Sequence, residues 1–211
     1  MIEANKPSVL SVVGKLDGAL TYTHSVAEEK FYDGVLIVPR TSGVSDRIPV
    51  TFPGRLIEGV EFNSNLDIFV TGSLRSYNKV DENGVGHLSL TLFANEFSQN
   101  PVILGANEGL NLAVLTGNIC RKPLYRQTPY GREICDFMVA INRAFRKSDY
   151  IPCIAWGRNA RYMSRQPMST RVTVSGRFQS REYDKILADG TTVRKTAYEL
   201  SVQSVDAGDN N

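Results

Sequence analysis

The chain repeats part of itself, and this internal repeat restricts its possible folds more than any other feature of its 211 residues. Residues 40–55 align without a gap with residues 143–158, and seven of the sixteen pairs are identical. The identical pairs are Arg40/Arg143, Ser45/Ser148, Asp46/Asp149, Ile48/Ile151, Pro49/Pro152, Gly54/Gly157 and Arg55/Arg158. A repeat spaced by about one hundred residues matches the common size of a domain, so the sequence predicts two copies of one unit.

Each copy shows the short apolar or alternating runs that are typical of strands. In the first copy the predicted strands are residues 9–16, 30–40, 47–52, 66–77 and 86–97. In the second copy they are residues 112–117, 134–144, 150–156, 171–183 and 192–205. A helical turn is predicted at Arg55–Glu58 and a short helix at Gly157–Met163. Five strands with a helix between the third and fourth is the order of an OB-fold barrel.

We therefore expect an all-β protein of two tandem five-stranded OB-fold barrels, each with a short helix or turn between strands 3 and 4. The first barrel is predicted to span residues 1–100 and the second residues 111–211. Residues 98–109 contain Pro101, Gly105 and Gly109 with several polar residues, which is typical of a linker, and we place the linker at residues 101–110.

Charge is divided unevenly between the copies, although the net charge of the chain is only +2. Residues 1–105 contain 8 Lys and Arg against 12 Asp and Glu, a net charge of −4. Residues 106–211 contain 16 against 10, a net charge of +6. We therefore expect an acidic first domain, and a basic second domain that a polyanion prefers.

Other classes of function find little support in the residues. The three cysteines, Cys120, Cys135 and Cys153, lack metal-ligand spacing, so we expect reduced thiols buried in strands. Phosphate-binding loops, zinc-hydrolase motifs and nucleophile elbows do not occur, so we expect no enzymatic activity, catalytic residue, metal site or cofactor. We recognise no membrane span or targeting segment, which predicts a cytoplasmic protein without membrane contact.

Cationic and aromatic residues are interleaved in one stretch of the second copy. This stretch contains Arg143, Phe145, Arg146, Lys147, Tyr150, Trp156 and Arg158. Period-two geometry predicts that Tyr150, Pro152, Ile154 and Trp156 share a strand face. In the fourth strand, the face opposite the apolar residues carries Arg177, Gln179, Arg181 and Tyr183. Because rings stack on bases and cations neutralise phosphates, the pattern is typical of a surface for single-stranded nucleic acid.

The first copy lacks most of these side chains. Ser42, Gly43 and Val44 stand where the second copy has Phe145, Arg146 and Lys147. Tyr150 corresponds to Arg47, Trp156 to Pro53 and Arg177 to Ser73. We therefore interpret the first copy as a degenerate OB fold that keeps the frame without the main nucleic-acid surface.

Residues 111–205 resemble the core of a bacterial single-stranded DNA-binding protein. The resemblance lies in Leu115–Gly117, the Thr128–Gly131 turn, Ile141–Phe145, Tyr150–Arg158 and Val174–Tyr183, which occur in order and at the spacing of that family. It implies that Tyr150, Trp156, Tyr183 and, less directly, Phe145 stack on bases while neighbouring arginines contact phosphates. The first copy resembles the family only through its likeness to the second, so the whole chain looks like a two-OB-fold variant.

The resemblance implies sequence-independent binding and protection of single-stranded DNA during replication, recombination or repair, in a bacterial, nucleoid-associated protein. The DNA-binding residues that we expect are Arg143, Phe145, Arg146, Lys147, Tyr150, Trp156, Arg158, Arg177, Arg181 and Tyr183. Family members with one OB fold usually form homotetramers, so two folds per chain imply a homodimer. Replication or repair proteins are the implied further partners, although residues 205–211 lack the acidic, apolar-ended tip that recruits them in the family.

Other interpretations stay open at this level. One is a replication adaptor that resembles a primosomal protein of the same fold and acts mainly through protein–protein contacts, with weak DNA or RNA binding. RNA is also open as the main ligand, because stacking does not exclude it. For single residues, Trp156 has the alternative of a core position, and Phe145 that of capping the barrel.

Overall fold

The computed structural model describes residues 7–62, 66–80, 84, 86–101, 110–186 and 190–207. The first half forms β1 (Ser8–Leu16), β2 (Thr21–Val26), β3 (Glu29–Pro39), β4 (Ser45–Pro53), α1 (Gly54–Ile57), β5 (Ile68–Val80) and β6 (Gly86–Gln99). The second half forms β7 (Asn111–Ile119), β8 (Leu124–Gln127), β9 (Glu133–Asn142), a 3₁₀ turn (Ala144–Arg146), β10 (Ser148–Trp156), α2 (Gly157–Met163), β11 (Arg171–Ile186) and β12 (Thr192–Ala207). Among the described residues, no helix has the length and hydropathy needed to cross a bilayer.

Each half closes into a barrel of five strands. In the first half β1 pairs with both β3 and β5, β3 pairs with β4, β4 runs parallel to β6, and β6 pairs with β5. In the second half β7, β9, β10, β12 and β11 make the same circuit. A helix joins the third and fourth of these strands in both halves. The expected all-β fold of two tandem OB-fold barrels is therefore confirmed.

Each barrel also has one short strand that the sequence pattern did not predict. β2 pairs with β3, and β8 pairs with β9, at the two ends of the sheet. Every residue of both strands is exposed. Because these strands bury no apolar side chain, no alternation marks them in the sequence.

A glycine in the first strand of each barrel allows the sheet to close. At Gly14, β1 ends its pairing with β5 and begins its pairing with β3. A Cβ at Gly14 would lie 2.5 Å from the carbonyl oxygen of Ile37, and one at the equivalent Gly117 would lie 2.3 Å from that of Ala140. Only glycine fits at these approaches, so each first strand can pass from one neighbouring strand to the next at this position.

The barrels join through their first strands. β1 and β7 are antiparallel, with Ser8 opposite Leu115 and Val12 opposite Asn111. All strands therefore belong to one twelve-stranded sheet, and each first strand covers an edge that the other would expose. Residues 102–109 of the predicted linker lie outside the described residues, and the domain boundaries remain a prediction.

A buried aspartate of the first barrel strengthens this joint. Asp46, at the start of β4, is 0% exposed. It accepts hydrogen bonds from Arg40 in its own barrel and, across the joint, from Arg177 Nε at 2.8 Å and the Ser180 backbone nitrogen at 2.9 Å. Ser180 Oγ then accepts a hydrogen bond from the backbone nitrogen of Arg47 at 2.9 Å. The carboxylate thus ties β4 to β11.

The second barrel repeats this arrangement in the opposite direction. Asp149, at the start of β10, is 1% exposed. It accepts hydrogen bonds from Arg75 Nη1 at 3.1 Å and from the Ser76 backbone nitrogen at 2.7 Å, both in β5. Arg143 Nε lies 2.9 Å from its Oδ2, although this N–H is not aligned for a hydrogen bond. Ser76 Oγ accepts from the Tyr150 backbone nitrogen at 2.8 Å, so the joint is symmetric.

Candidate nucleic-acid interface

Strand β10 holds two of the predicted stacking rings on its outer face. The exposed fraction is 44% for Tyr150 and 38% for Trp156, so Trp156 is not a core residue. The indole Nε1 donates a hydrogen bond to Ser201 Oγ in β12 at 3.2 Å, which orients the ring across the neighbouring strand. Pro152 between the rings is half-buried, whereas Ile154, predicted to share their face, is only 6% exposed.

Strand β11 carries cations and the third ring. Val172, Val174 and Phe178 are fully buried, so the alternate residues Arg177, Gln179, Arg181 and Tyr183 lie on the outer face, as predicted. β12 lies between β11 and β10, with Ser201 paired to both Arg177 and Ile154. The guanidinium carbon of Arg181 is 5.8 Å from the Tyr183 ring centre, a cation–π distance. The three rings therefore share one continuous face.

The loop from β9 to β10 holds Phe145 in solvent. Its side chain is 93% exposed, so it does not cap the barrel. Phe145 and Arg146 both have left-handed backbone, with φ of 59° and 55°, and a 2.8 Å hydrogen bond from Arg143 N to Lys147 O closes the loop. Left-handed backbone at a non-glycine residue costs on the order of 1 kcal/mol or more, and strained, outward-pointing side chains are common where ligands bind.

The structure divides the predicted cations into two groups. Arg146, Lys147, Arg158 and Arg181 are exposed, and they form no ion pair within the described part of the chain. Arg143 and Arg177 are instead committed to the buried carboxylates of the joint, and their side chains are 24% and 21% exposed. The geometry gives these two arginines a structural partner that the sequence pattern did not reveal.

The β5–β6 hairpin of the first barrel reaches the face of the second. Leu88 and Leu90 from this hairpin line a groove of 420 Å³ together with Pro152, Tyr183 and Lys195. Tyr198 also lines it, and its ring stacks on Phe178 at 6.1 Å. Burial raises the pKa of Tyr198, so its hydroxyl stays neutral at pH 7 and adds no negative charge near a phosphate.

Two acidic side chains of this region are already paired. Asp136 in β9 accepts a hydrogen bond from Arg126 Nε at 2.6 Å, and Glu199 in β12 accepts one from Gln179 Nε2 at 3.0 Å. The Arg126 guanidinium partly neutralises Asp136, whereas the uncharged Gln179 amide leaves the charge of Glu199 in place.

The cysteines offer no metal centre. Cys135 and Cys153 are buried, Cys120 is half-buried, and all three are free thiols. Burial raises the pKa of the Cys135 thiol to about 11 and that of Cys153 further still. Across the described residues, no cluster of three or more potential metal ligands occurs.

The first barrel has an aromatic cluster on its outer face that the comparison of copies missed. The ring centres of Phe31 and Phe93 are 5.9 Å apart, and the His24 ring stacks on Phe31 at 4.9 Å. The guanidinium carbon of Arg75 is 6.0 Å from the centre of Phe93. The available signal was the position of Phe93, which lies on the same strand face as Ser89 and Thr91, opposite the buried Leu90, Leu92 and Ala94.

A model of the single-strand binding protein family matches residues 110–207. This part of the chain belongs to that family. The matched region contains every residue of the outer face of β10 and β11 and the exposed loop at Phe145. The three rings thus stand in the barrel that carries the family's sequence, while the first barrel lies outside the match.

Curated relatives of the single-strand binding protein family match a similar length of chain. The single-stranded DNA-binding protein of Oceanobacillus iheyensis is 38% identical over 97 residues, which are 41% of this chain and 57% of the relative. Single-stranded DNA-binding protein 1 of Staphylococcus aureus is 36% identical over 85 residues, 36% of this chain and 49% of the relative. The chain thus spans about half the length of the curated relatives that it matches.

A solved structure extends the fold similarity to both barrels. The wild-type single-stranded DNA-binding protein from Thermus aquaticus superposes with a TM-score of 0.73 and 19% sequence identity, and the match covers 97% of this chain and 94% of that one. At this identity the likeness concerns the fold alone. It shows that the tandem arrangement of two OB folds also occurs in a solved protein.

Proposed function

We propose that the chain binds single-stranded DNA without sequence preference through the outer face of its second barrel. One observation carries this proposal. Tyr150, Trp156 and Tyr183 lie exposed on one continuous face, beside cations that have no ion-pair partner within the described residues, in the barrel that belongs to the single-strand binding protein family. Membership of that family, and the names of the relatives, support DNA as the polymer.

The binding energy has two separable sources. Stacking of a base on an aromatic ring is worth about 1–3 kcal/mol, so Tyr150, Trp156 and Tyr183 supply most of the affinity that does not depend on salt. Neutralised phosphates release counterions and add a slope of about −0.7 per phosphate on a single strand. We assign the salt-dependent part of the affinity to four cations, Arg146, Lys147, Arg158 and Arg181. We assign Phe145 to stacking, as a further ring at the edge of the face.

Arg143 and Arg177 have a positioning role in this proposal. Arg177 holds Asp46 across the joint and so helps to fix one barrel against the other, whereas Arg143 faces Asp149 within its own barrel; we propose that neither contacts DNA directly. Both arginines were predicted to contact DNA because of their charge and the family resemblance, and that prediction stays to be tested.

The biological setting follows from the same chemistry. A protein that covers unpaired bases protects the strand while it is exposed in replication, recombination or repair, and we propose a cytoplasmic, nucleoid-associated protein with that role. We also propose a homodimer, because two chains of two barrels present four OB folds. Light scattering should give about twice the 23.4 kDa of one chain, and a single-chain mass with and without oligo(dT) would contradict the dimer.

Fluorescence of Trp156, the only tryptophan, tests the DNA proposal directly. Oligo(dT) should quench the emission strongly and with a sharp stoichiometric end point, because a stacked base lies against the indole. Absent or weak quenching up to high oligonucleotide concentration would overturn the proposal in favour of an adaptor that works through protein contacts. Competition between oligo(dT) and oligo(rU) of equal length decides between DNA and RNA.

A further inference from the structure

We infer that the first barrel carries a second stacking surface, formed by His24, Phe31 and Phe93 with Arg75 beside them, which takes unstacked bases of a long bound strand. This inference rests on the proposed function, since it concerns the same polymer. It goes beyond the sequence-based expectation, which treated the first barrel as a frame without the main nucleic-acid surface.

The side chains form a row across the strands of the outer face. The His24 and Phe31 rings are nearly parallel, with an interplanar angle of 19° at 4.9 Å, and the Phe31 and Phe93 rings are inclined by 44° at 5.9 Å. The guanidinium carbon of Arg75 closes the row, 6.0 Å from the centre of Phe93. β2, β3, β6 and β5 each contribute one member, which gives three rings and one cation.

Strand registers place this row beside the position that Trp156 occupies in the second barrel. Pro53, the equivalent of Trp156, pairs with Phe31 in β3. Phe93 pairs with Ser73, just as Ser201, the partner of the indole, pairs with Arg177. The aromatic surface has therefore moved from the central strand to the strands on either side of it. A position-by-position comparison of the copies shows that Pro53 replaces the ring of Trp156. It does not show that rings are gained at Phe31 and Phe93.

The three rings of the row are accessible enough for bases to contact them. His24 is exposed, and Phe31 and Phe93 are half-buried, whereas the aromatic residue Phe52 at the centre of this barrel is 0% exposed. Thr23 Oγ1 lies 2.9 Å from His24 Nδ1 and thereby orients the imidazole. Rings that are held in place lose little entropy when a base stacks on them.

The charge of the row sets its chemistry apart from that of the second barrel. Arg75 already pairs with Asp149, and the Asp33 carboxylate, two residues from Phe31 on the same face, accepts a hydrogen bond from Thr51 at 2.6 Å. Little positive charge remains for phosphates. The surface therefore fits bases rather than the phosphate backbone, and its contribution should be nearly independent of salt.

Full-length variants with oligo(dT) of two lengths test this inference. Phe31→Leu and Phe93→Leu keep apolar volume but remove the ring, and His24→Ala removes the exposed end of the row. For an oligonucleotide long enough to reach both barrels, each should lower affinity about fivefold or more by fluorescence anisotropy, with no change in salt slope. For a short oligonucleotide that fills one barrel, affinity and Trp156 quenching should stay unchanged.

Tyr22→Leu is the matched control. Tyr22 is 53% exposed on the same strand pair, but it packs beside Tyr32, on the opposite face from Phe31. This variant should bind both oligonucleotides normally. Unchanged long-oligonucleotide affinity in all three row variants, with melting curves that show them folded, would overturn the inference.

Photocross-linking keeps the inference testable even where a variant does not fold. Unsubstituted protein is irradiated with a long oligonucleotide that contains 5-iodouracil, and the adducts are located by mass spectrometry. Adducts at His24, Phe31 or Phe93 support the second surface, and adducts confined to the second barrel overturn it. Failure of the short oligonucleotide to quench Trp156 is a different result, which counts against the proposed function itself.

Discussion

Trp156 in the second barrel and Pro53 in the first occupy equivalent positions at the end of equivalent strands, yet one is exposed and aromatic and the other is buried. Asp149 and Asp46 also occupy equivalent positions, and these two make the same contacts across the joint. The contrast shows which positions are constrained by the assembly of the barrels. The buried aspartates are retained in both copies, whereas the outward-facing residues differ between the two barrels.

Removing a buried aspartate should have the largest effect, and the same effect in both halves. Asp149→Ala leaves Arg75 and Arg143 without their carboxylate and the backbone nitrogen of Ser76 without an acceptor. We expect the free energy of unfolding to fall by about 3 kcal/mol, measured by urea denaturation, and Asp46→Ala to match it. Asp17→Ala, which removes an exposed ion pair with Arg47, should change stability by less than about 1 kcal/mol. A large loss of stability in only one of the two aspartate variants would show that the two joint contacts are not equivalent.

Ring removal should separate the faces by their affinity for DNA. Tyr150→Ala, Trp156→Ala and Tyr183→Ala should each weaken oligo(dT) binding by about 1–3 kcal/mol in anisotropy titrations, with little change in salt slope. The equivalents of Tyr150 and Tyr183 in the first barrel are Arg47 and Lys79, and alanine there should leave the affinity for a short oligonucleotide unchanged. Normal binding by folded Trp156→Ala and Tyr183→Ala would place the stacking surface elsewhere.

Alkaline pH should destabilise the second barrel, because all three cysteines belong to it. Burial raises the pKa of Cys135 from the ordinary 9.0 to about 11 in the folded state. The stability that this neutral thiol contributes is therefore fully present below pH 9 and is lost as pH rises towards 11. The Cys135 thiol should cost about 1 kcal/mol of unfolding free energy by pH 10.

Urea denaturation at pH 8 and pH 10 checks this pH dependence. Cys135→Ala should reduce the difference in unfolding free energy between the two values. Cys120→Ala, at a half-buried site, should reduce it less. An unchanged difference in the Cys135 variant would show that another group titrates.

Salt dependence should give the smallest effect. Arg158→Ala should reduce the slope of log affinity against log salt by about 0.7, because one neutralised phosphate is lost. Arg55 is the identical residue of the first copy, but its guanidinium is paired with Glu29 at 3.0 Å. Arg55→Ala should therefore leave the slope unchanged. Equal slopes in both variants and the unsubstituted protein would remove Arg158 from the proposed surface.

The fold and the outer face of the second barrel could be predicted because both depend on local alternation. Val174 and Phe178 are buried while Arg181 and Tyr183 face outward, and period two is enough to derive this. The strand β2 escaped prediction because it is exposed on both faces. Arg143 and Arg177 were predicted to contact DNA from their charge and the family resemblance, and a sequence does not show the buried carboxylates that they face.

The missed contacts are those that join distant parts of the chain. Asp46 and Asp149 are identical in the two copies, which was a usable sign of a structural role, but their partners in β11 and β5 lie far away in sequence. Phe31 and Phe93 were missed for a related reason. They stand in different strands, and only the closure of the barrel brings their rings together.

The pairing of β1 with β7 should affect both the affinity and the dissociation rate of a long strand of DNA, because it fixes one barrel beside the other. Once the second barrel holds part of the strand, the next nucleotides reach the first barrel as an intramolecular ligand, at an effective concentration in the millimolar range for a short connection. The barrels are already fixed to each other, so this second contact loses no freedom of motion between them. If His24, Phe31 and Phe93 take bases as inferred, they should therefore lengthen the residence time of a long strand even where they are too weak to retain a free oligonucleotide.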